Sequence, residues 1–303
     1  MVEQHLSGSQ PRKLSRVLAL VSTRENPTNV RLAAAAPPGF EVKLVPPADA
    51  LNLLGPDDAA LSRLDVLPTL DGIEPGIWEI GRLEAGGIPV LNTMGALLAT
   101  HDKLQTSRVL LAAGLPHPRT VHLVTAREPV TIDPPVVVKP RFGSWGRDVA
   151  LCTDRGQLTE TLDALSSRPW FRKQGVLVQE LIPPLGHDLR VVVAGGAIVG
   201  AVRRQAADGE WRTNVALGAE RQAVDPPRAA LELALAAAAA SRADLVGIDI
   251  LPTHEGGWTV IELNGAVEFT DEYSLDRDIF AAAMEKLVAA IPPREATAVA
   301  ALA

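Results

Sequence analysis

The sequence predicts an α/β protein that begins with an open parallel sheet and continues into mixed α+β lobes. In the first hundred residues, apolar runs of strand length alternate with helical segments, which is typical of a parallel sheet. Later in the chain, two hairpins are predicted, one across Gly195-Gly196 and one across His254–Gly257. At 303 residues the chain is too long for one small core, so two or three sub-domains are expected.

Composition narrows the class of protein and its partners. The chain is 47% hydrophobic and 21% charged, which is typical of a globular protein with a core. A net charge of −7 argues against bulk binding to nucleic acid or anionic membrane, although it allows a local basic pocket. The single cysteine, Cys152, cannot form an internal disulfide, which favours a packed thiol in the cytoplasm. Residues 1–13 lack a signal-peptide core and are expected to be a disordered leader, and residues 293–303 a flexible tail.

The first predicted domain spans residues 14–97 and carries no chemistry of its own. G-x-G-x-x-G does not follow its first strand, so a dinucleotide is not indicated. We expect the domain to be a scaffold that also supplies the surface of a homo-oligomer, either a dimer or a tetramer. Its predicted elements are strands over 14–22, 40–45, 65–69 and 88–92, and a helix over 29–36.

A helix marks the start of the second part of the chain. It is predicted to begin near residues 100–103, with Thr100 or Asp102 as the N-cap, and to end before Gly114. The strand that follows Pro134-Pro135 delivers Lys139 at its end. The further predicted elements are strands over 119–124, 136–139, 148–152, 176–180, 189–193 and 197–202, and helices over 157–165, 226–240 and 279–290.

A glycine-rich loop connects two of these strands. It contains Gly143, Ser144 and Gly146, and Lys139 and Arg141 lie close by in the sequence. Glycines let backbone N–H groups approach an anion, and nearby cations favour phosphate. The loop is not a Walker loop, because G-x-x-x-x-G-K-[ST] is absent and a strand follows. A plain hairpin turn is the alternative interpretation.

The hairpin formed by Leu245–Leu251 and Trp258–Leu263 is the stretch around which the other motifs are arranged. Glu262 and Asn264 point to one face because strand side chains alternate. If the hairpin folds about the middle of its turn, Asp249 lies opposite Glu262 and shares that face. Two adjacent carboxylates repel each other, and a hard cation such as Mg²⁺ relieves the repulsion. The alternative is a polar hairpin face that is simply solvated.

Short motifs in a fixed order make the chain resemble the ATP-grasp ligases from about residue 15 to residue 290. The similarity is to the branch that contains the RimK-type glutamate ligases and the LysX-type amino-acid ligases. The motifs are Asp102-Lys103, Val138-Lys139-Pro140, Val178-Gln179-Glu180, Asp188-x-Arg190, Arg212-x-Asn214, Asp249 and Glu262-x-Asn264.

The resemblance implies an ATP-grasp fold in three parts. These parts are an N-terminal pre-ATP-grasp domain (14–97), a first lobe with a small central subdomain (98–180), and a C-terminal lobe that carries the hairpin (181–292). ATP is expected between the last two. The implied nucleotide contacts are the α- and β-phosphates for Lys103 and Lys139, the closing phosphate loop for Gly143 and Ser144, the adenine pocket for Gln179 and Glu180, and the ribose hydroxyls for Asp188.

The same resemblance implies two Mg²⁺ ions, for which Mn²⁺ can substitute, and a set of residues for the substrates. The implied metal ligands are Asp249, Glu262 and Asn264. The residues implied at the transferred phosphate and the substrate carboxylate are Arg190, Arg212 and Asn214. Arginine suits both anions because its planar fork binds bidentately.

The activity that the resemblance implies is ATP-dependent ligation of a carboxylate to an amine through an acyl phosphate. The N-x-x-x-E-F pattern from Asn264 to Phe269 looks like the LysX-type branch, which adds amino acids to a small acidic carrier protein. The expected acceptor is therefore a glutamate-like carboxylate on a peptide, carrier protein or small metabolite, with no nucleic-acid or membrane partner. A catalytically silent ATP-binding module stays open as the alternative. A serine hydrolase finds no support because G-x-S-x-G is absent.

Overall fold

The computed structural model describes residues 15–293, which form three separate sheets with helices packed around them. The predicted leader (1–13) and all but the first residue of the predicted tail (293–303) lie outside the described residues. Within 15–293, no helix has both the length and the apolar character that crossing a bilayer requires.

The N-terminal domain is an open sheet of four parallel strands, as predicted. The strand order is β2-β1-β3-β4, and every neighbouring pair is parallel. The strands are β1 (Arg16–Val21), β2 (Phe40–Val45), β3 (Ala59–Ser62) and β4 (Val90–Leu91), and the helices between them are α1 (Pro27–Ala34), α2 (Pro47–Leu53) and α3 (Ile77–Ala85).

The predicted third strand at 65–69 is wrong, because the third strand is β3, six residues earlier. The stretch Ala59–Ser62 (AALS) contains no β-branched or aromatic residue and was not recognised as a strand, yet all four residues are buried between β1 and β4. Residues 65–69 contain Pro68, which cannot donate to a ladder, and only an isolated bridge from Val66 to Ile73 forms there.

Two helices follow the first domain and are separated by one residue. They are α4 (Met94–His101) and α5 (Lys103–Ala112). Asp102 has an extended backbone and caps α5 by accepting a hydrogen bond from the Leu104 N–H, which confirms it as the N-cap. Gly114 follows the helix with a φ of +67°, as expected for a residue that ends a helix.

The central lobe is an antiparallel four-stranded sheet with two helices. The strand order is β5-β8-β6-β7. Its core buries Cys152, which is therefore a packed thiol. The elements are β5 (Thr120–Leu123), β6 (Val136–Pro140), β7 (Ala150–Cys152), α6 (Arg155–Ser166), α7 (Pro169–Gln174) and β8 (Val176–Glu180).

A loop of the N-terminal domain reaches across to this lobe, and we call residues 67–73 the bridging loop. Leu70, with a φ of +62°, is buried in the core of the central lobe. The carboxylate of Asp71 accepts from Lys173 Nζ at 2.9 Å, and its carbonyl accepts from Gln174 Nε2 at 3.0 Å. The bridging loop therefore ties the first domain to α7.

The C-terminal lobe is an antiparallel five-stranded sheet in the order β11-β10-β9-β12-β13, with a helix on each face. On one face of the sheet, Val192 and Ala194 share a core with the helix Ile279–Ala290 and with β1. On the other face, Val191 and Val193 pack against the helix Arg228–Ser241. The N-terminal domain and this lobe therefore share one core. The elements are β9 (His187–Ala194), β10 (Ala197–Gln205), β11 (Glu220–Ala223), α8 (Arg228–Ser241), β12 (Leu245–Pro252), β13 (Trp258–Asn264) and α9 (Ile279–Ala290).

Asn92, directly after β4, clamps both ends of the hairpin made by β12 and β13. Its side chain is 1% exposed, and its Nδ2 donates to the carbonyls of Leu245 (2.8 Å) and Gly265 (3.0 Å). Its Oδ1 accepts from the N–H groups of Asp244 (2.7 Å) and Leu245 (3.0 Å). The amide is fully used, and it fixes the first residue of β12 against the residue that follows β13.

Candidate active site

A cleft of about 470 Å³ lies between the central lobe and the C-terminal lobe. It is lined by all the site residues that the sequence predicts, although they come from eight different segments of chain. These residues are Lys103, Lys139, Gly143, Ser144, Gln179, Glu180, Asp188, Arg190, Arg212, Asn214, Asp249, Glu262 and Asn264.

The hairpin has the register that the sequence predicts. Asp249 pairs directly with Glu262, and Gly247 pairs with Asn264. A bulge follows Asp249, so the two strands keep this pairing although the rest of the ladder shifts by one residue. The Ile248–Leu263 pair lies between them, so the two carboxylates and the amide lie on alternate rungs, on the same face of the hairpin, and line the same cleft.

Asp249 is engaged in a buried ion-pair network that the sequence did not reveal. Arg190 donates to both of its oxygens, at 2.6 Å each, and Arg204 Nη2 lies 2.9 Å from Oδ2. Burial opposes ionisation of this carboxyl, but Arg190 and Arg204 outweigh it and lower its pKa to about 2. Asp249 is thus an anion at neutral pH, and one lone pair of Oδ1 is still free to bind a cation.

The network continues to Asp188, which was predicted to contact a ribose. Arg204 donates to both oxygens of Asp188, and Thr213 Oγ1 also donates to it, at 2.6 Å. Asp188 is 1% exposed. With both oxygens engaged, its visible contacts hold Arg204 in place, and the ribose contact stays a prediction. Arg203 is exposed and Arg204 is buried, as strand alternation requires.

Lys103 joins the hairpin to the glycine-rich loop. Its Nζ lies 2.8 Å from Glu262 Oε1 and donates to the carbonyl of Gly143 at 2.6 Å. The start of α5 is fixed in turn, because Arg141 donates twice to Asp102 at 2.7 and 2.6 Å. A lysine at the first position of this helix can therefore reach both walls of the cleft.

Lys139 enters the cleft from the end of β6 and is 6% exposed. Its Nζ donates to Gln179 Oε1 at 2.7 Å, so its only hydrogen-bond partner among residues 15–293 is a neutral amide. Burial lowers its pKa to about 8, with Glu262 opposing the shift and Lys103 adding to it. The ammonium group is therefore available for an anionic ligand at neutral pH.

The glycine-rich loop folds toward the C-terminal lobe. Gly146 has a φ of +69°, and a Cβ at that position would lie 3.1 Å from Asn214 Oδ1. Its carbonyl accepts from Arg212 Nη1 at 3.2 Å. Glu210 holds Arg212 through hydrogen bonds of 3.0 and 2.8 Å to its oxygens. Arg212 and Asn214 thus contact the loop that is expected to cover phosphates, and glycine is required at the contact.

Two histidines of the site, His101 and His117, were not recognised from the sequence. His117 Nε2 lies 3.3 Å from Gln179 Nε2. Strand alternation predicts that one of Arg203 and Arg204 faces inward, and Arg204 is the buried one. His101, buried at the end of α4, lines the cleft, and burial lowers its pKa to about 4. Tyr273 is 2% exposed and also lines the cleft, so it both packs and faces the site.

The donor set of the hairpin fits a hard cation. Glu262 Oε2 and Asn264 Oδ1 accept no hydrogen bond from residues 15–293, and Asp249 Oδ1 accepts only one. Oxygen donors of this kind suit Mg²⁺. In the same part of the chain, no three His, Cys, Asp or Glu side chains cluster as a metal site would require. Binding therefore depends on the amide of Asn264 and on oxygens from a ligand.

Comparison with known proteins agrees with this geometry. Residues 100–291 match the RimK-like ATP-grasp domain. The glutamate–LysW ligase ArgX of Sulfurisphaera tokodaii is 28% identical over 71% of this chain and 78% of its own. A probable α-L-glutamate ligase of Teredinibacter turnerae is 29% identical over 88% of this chain and 91% of its own. The crystal structure of a RimK domain ATP-grasp protein from Sphaerobacter thermophilus superposes with a TM-score of 0.60 at 24% identity, covering 84% of this chain and 92% of that one.

Proposed function

The chain belongs to the RimK-like ATP-grasp family, and on that premise we propose that it joins an amino acid to a glutamate-like carboxylate. The general reaction class is that of the family, whose members are ATP-dependent, ADP-forming carboxylate–amine ligases that use Mg²⁺. One observation carries the proposal of residue roles. Two lysines, a glycine-rich loop, an arginine network and the oxygen-rich hairpin, which are far apart in sequence, line a single cleft.

The reaction must turn a poor acyl donor into a good one. A carboxylate cannot transfer its acyl group at neutral pH, because the leaving group would be oxide. Attack of the carboxylate on the γ-phosphorus of ATP forms a C–O–P bond and expels ADP, which gives an acyl phosphate. The amine then attacks the acyl carbon, phosphate leaves with the bonding electrons, and the ammonium proton is lost to give an amide.

Positioning and charge neutralisation suffice for the phosphoryl step, so a protein nucleophile is not required. We assign Lys103 and Lys139 to the α- and β-phosphates, because both ammonium groups project into the cleft beside the glycine-rich loop. Gly143 and Ser144 supply the covering loop. Arg212 and Asn214, which contact that loop at Gly146, are assigned to the transferred phosphate.

Arg190 is assigned to the substrate carboxylate. Its Nε and Nη2 donate to Asp249, its Nη1 donates no hydrogen bond within residues 15–293, and the residue lines the cleft. Asp249, Glu262 and Asn264 would hold two Mg²⁺ ions, for which Mn²⁺ can substitute. When bound, such ions neutralise negative charge on the β- and γ-phosphates. The adenine is assigned to the cleft wall at Gln179 and Glu180, and the ribose to the neighbourhood of Asp188.

Two observations support a glutamate-like acceptor on a peptide, carrier protein or small metabolite. Of the relatives named above, ArgX is named as a ligase of glutamate and LysW, and the Teredinibacter turnerae protein as a probable α-L-glutamate ligase. The segment from Asn264 to Phe269 carries the N-x-x-x-E-F pattern, and Ala266, Val267 and Glu268 line the cleft. We place the reaction in the cytoplasm, where the buried Cys152 stays reduced, and propose that the protein is a homo-oligomer.

The test is ADP and phosphate release with a panel of amino acids and acidic carrier peptides, followed by mass spectrometry of the products. We expect Mg²⁺-dependent ADP release that requires both an amine and a carboxylate. The product should be heavier than the acceptor by the mass of the amino acid minus one water molecule. ATP binding without turnover for any pair would contradict the proposal and identify a silent nucleotide-binding module.

A further inference from the structure

We propose that His117 is a positioning residue that holds the Gln179 amide in the orientation that presents its oxygen to Lys139. The inference rests on the proposed contact between Lys139 and the triphosphate. It assigns a role to a histidine that lies in the linker before β5, outside the motifs that indicated the function.

The contact to be controlled is between Lys139 and Gln179. Lys139 Nζ donates to Gln179 Oε1 at 2.7 Å, and the two side chains are 6% and 2% exposed. A lysine side chain has four rotatable carbons, so an unanchored ammonium would sample many positions in the cleft. A neutral amide fixes the ammonium without cancelling its charge, which a carboxylate at residue 179 would do. The charge therefore stays available for phosphate.

An amide can rotate by 180° and present its NH₂ group to Lys139 instead, where two donors would face each other. Two neighbours prevent this rotation. Gln179 Nε2 donates to Thr120 Oγ1 at 2.8 Å, and Thr120 Oγ1 donates its own proton to the carbonyl of Pro118 at 2.9 Å. Gln179 Nε2 also lies 3.3 Å from His117 Nε2. Both neighbours must offer lone pairs for the arrangement to hold.

The protonation of His117 is set by its other ring nitrogen. Nδ1 lies 2.8 Å from the carbonyl of Val260, which can only accept, so Nδ1 carries the proton and Nε2 is the acceptor. Burial lowers the pKa of His117 to about 4, with Lys139 adding to the effect, so the ring is neutral at physiological pH. The carbonyl of Pro116 also accepts from the Val260 N–H at 3.0 Å.

The result is a chain of hydrogen bonds from the hairpin to the phosphate-binding lysine. It begins at Val260 in β13, passes through His117 and Gln179, and ends at Lys139. Because β13 also carries Glu262 and Asn264, the same strand that presents the proposed metal ligands also sets the position of the lysine. The position of Lys139 is thereby tied to the position of the proposed metal ligands.

The test compares two substitutions of His117, each of which places an amide group at the position of one ring nitrogen. The amide of Asn reaches the position of Nδ1, so His117→Asn keeps the bond to Val260 and loses the acceptor for Gln179. The amide of Gln reaches the position of Nε2, so His117→Gln restores an acceptor. The readouts are the dissociation constant of ATP with Mg²⁺, measured by calorimetry, the Michaelis constants of ATP and the amine, and the melting temperature.

We expect His117→Asn to raise the dissociation constant of ATP about three- to tenfold, as loss of one positioning hydrogen bond predicts, with the amine Michaelis constant within about twofold. His117→Gln should recover most of the affinity. His122→Asn is the matched control, because His122 is a half-buried histidine of β5 that contacts the carbonyl of Gln174. It should leave ATP binding unchanged.

Gln179→Leu completes a double-mutant cycle and keeps the test valid if His117→Asn folds poorly. The two substitutions should not add, because each breaks the same chain. Unchanged ATP affinity in His117→Asn, equal weakening in the His122 control, or additive effects would overturn the inference. Lys139→Ala distinguishes failure of the proposed phosphate contact of Lys139 from failure of the positioning role of His117. If it leaves ATP affinity unchanged, the proposed phosphate contact fails, and if it alone weakens binding, only the role of His117 fails.

Discussion

The two carboxylates of the hairpin are predicted to contribute equally to turnover and very differently to stability. The perturbation is a pair of single substitutions, Glu262→Ala and Asp249→Ala. Each removes one proposed metal ligand from a site assigned to two ions, so each should abolish ADP release. The difference arises because Glu262 is partly solvated with one ion pair, whereas Asp249 is buried between two guanidinium groups.

The size of the difference follows from the contacts. The side chain of Asp249 is 5% exposed, accepts two charge-assisted hydrogen bonds from Arg190, and forms an ion pair with Arg204 at 2.9 Å. Removing one partner of such a network leaves uncompensated buried cations and costs about 3–5 kcal/mol. The side chain of Glu262 is 25% exposed, and its one ion pair within residues 15–293 is with Lys103, which retains the carbonyl of Gly143 as a partner. Its loss should cost about 1 kcal/mol or less.

These values convert into a measurable separation of melting temperatures. At about 2–4 °C per kcal/mol, Asp249→Ala should lower the melting temperature by roughly 6–20 °C, and Glu262→Ala by no more than about 4 °C. The assay is differential scanning calorimetry without nucleotide, combined with coupled detection of ADP at saturating ATP and Mg²⁺. Glu255→Ala, in the exposed turn of the same hairpin, is the control and should match the unmodified protein in both measurements.

Two results would refute this reasoning. A folded Glu262→Ala protein that releases ADP at the normal rate would show that Glu262 is not a metal ligand. Equal melting temperatures for the two variants would show that the arginine network does not depend on Asp249.

Three further outcomes are expected. Lys139→Ala should raise the dissociation constant of ATP about 10- to 100-fold, as loss of a charge-assisted hydrogen bond predicts, and leave the Michaelis constant of the amine within about twofold; equal effects on both would count against the phosphate contact. Because the pKa of Lys139 is lowered to about 8, its ammonium is nearly complete at about pH 7 and half lost at about pH 8. ATP affinity should therefore fall as the pH rises from 7 to 9, whereas Lys139→Ala should show no such fall in a calorimetric titration over the same range. Asn92→Ala should lower the free energy of unfolding by about 3 kcal/mol, since it orphans buried backbone groups at Leu245 and Gly265. Asn92→Gly should destabilise the protein by about 1 kcal/mol less than Asn92→Ala, because Asn92 has a φ of +52° that glycine adopts freely. Denaturant titration measures the free energy of unfolding of both variants. A smaller loss in Asn92→Ala than in Asn92→Gly would exclude this account.

The sequence was sufficient to predict what depends on local pattern. The sequence placed Asp249 opposite Glu262, and that pair is confirmed, but the turn position alone does not produce it. Next to the turn Ile250 pairs with Val260, one residue away from the predicted pairing, and the bulge after Asp249 restores the predicted pair. The parallel sheet of the first domain followed from alternating strands and helices. Asp102 was recognised as a cap because capping needs only a side chain that is close in sequence.

What the sequence could not supply depends on pairing between distant segments. Arg190 contacts Asp249 because β9 lies beside β12, a neighbourhood that fifty residues of intervening chain leave undetermined. Strand β3 was missed because its sequence, AALS, has no β-branched or aromatic residue, and it becomes a strand only by pairing between two other strands. The contact between Lys139 and Gln179 was also missed, because the two residues lie on adjacent strands that are distant in sequence.

The bridging loop has a consequence for how nucleotide enters and leaves. Leu70 is inserted among the apolar side chains of the central lobe, and a Cβ on Gly143 would lie 3.5 Å from its Cδ2. A rotation that lifts β6 and the glycine-rich loop away from the hairpin must therefore carry this loop along or extract Leu70. Extraction exposes one leucine, at a cost of about 1.5–3 kcal/mol, and also breaks the ion pair of Asp71 with Lys173. If nucleotide release requires that rotation, the N-terminal domain contributes to its energetic cost through Leu70 and Asp71.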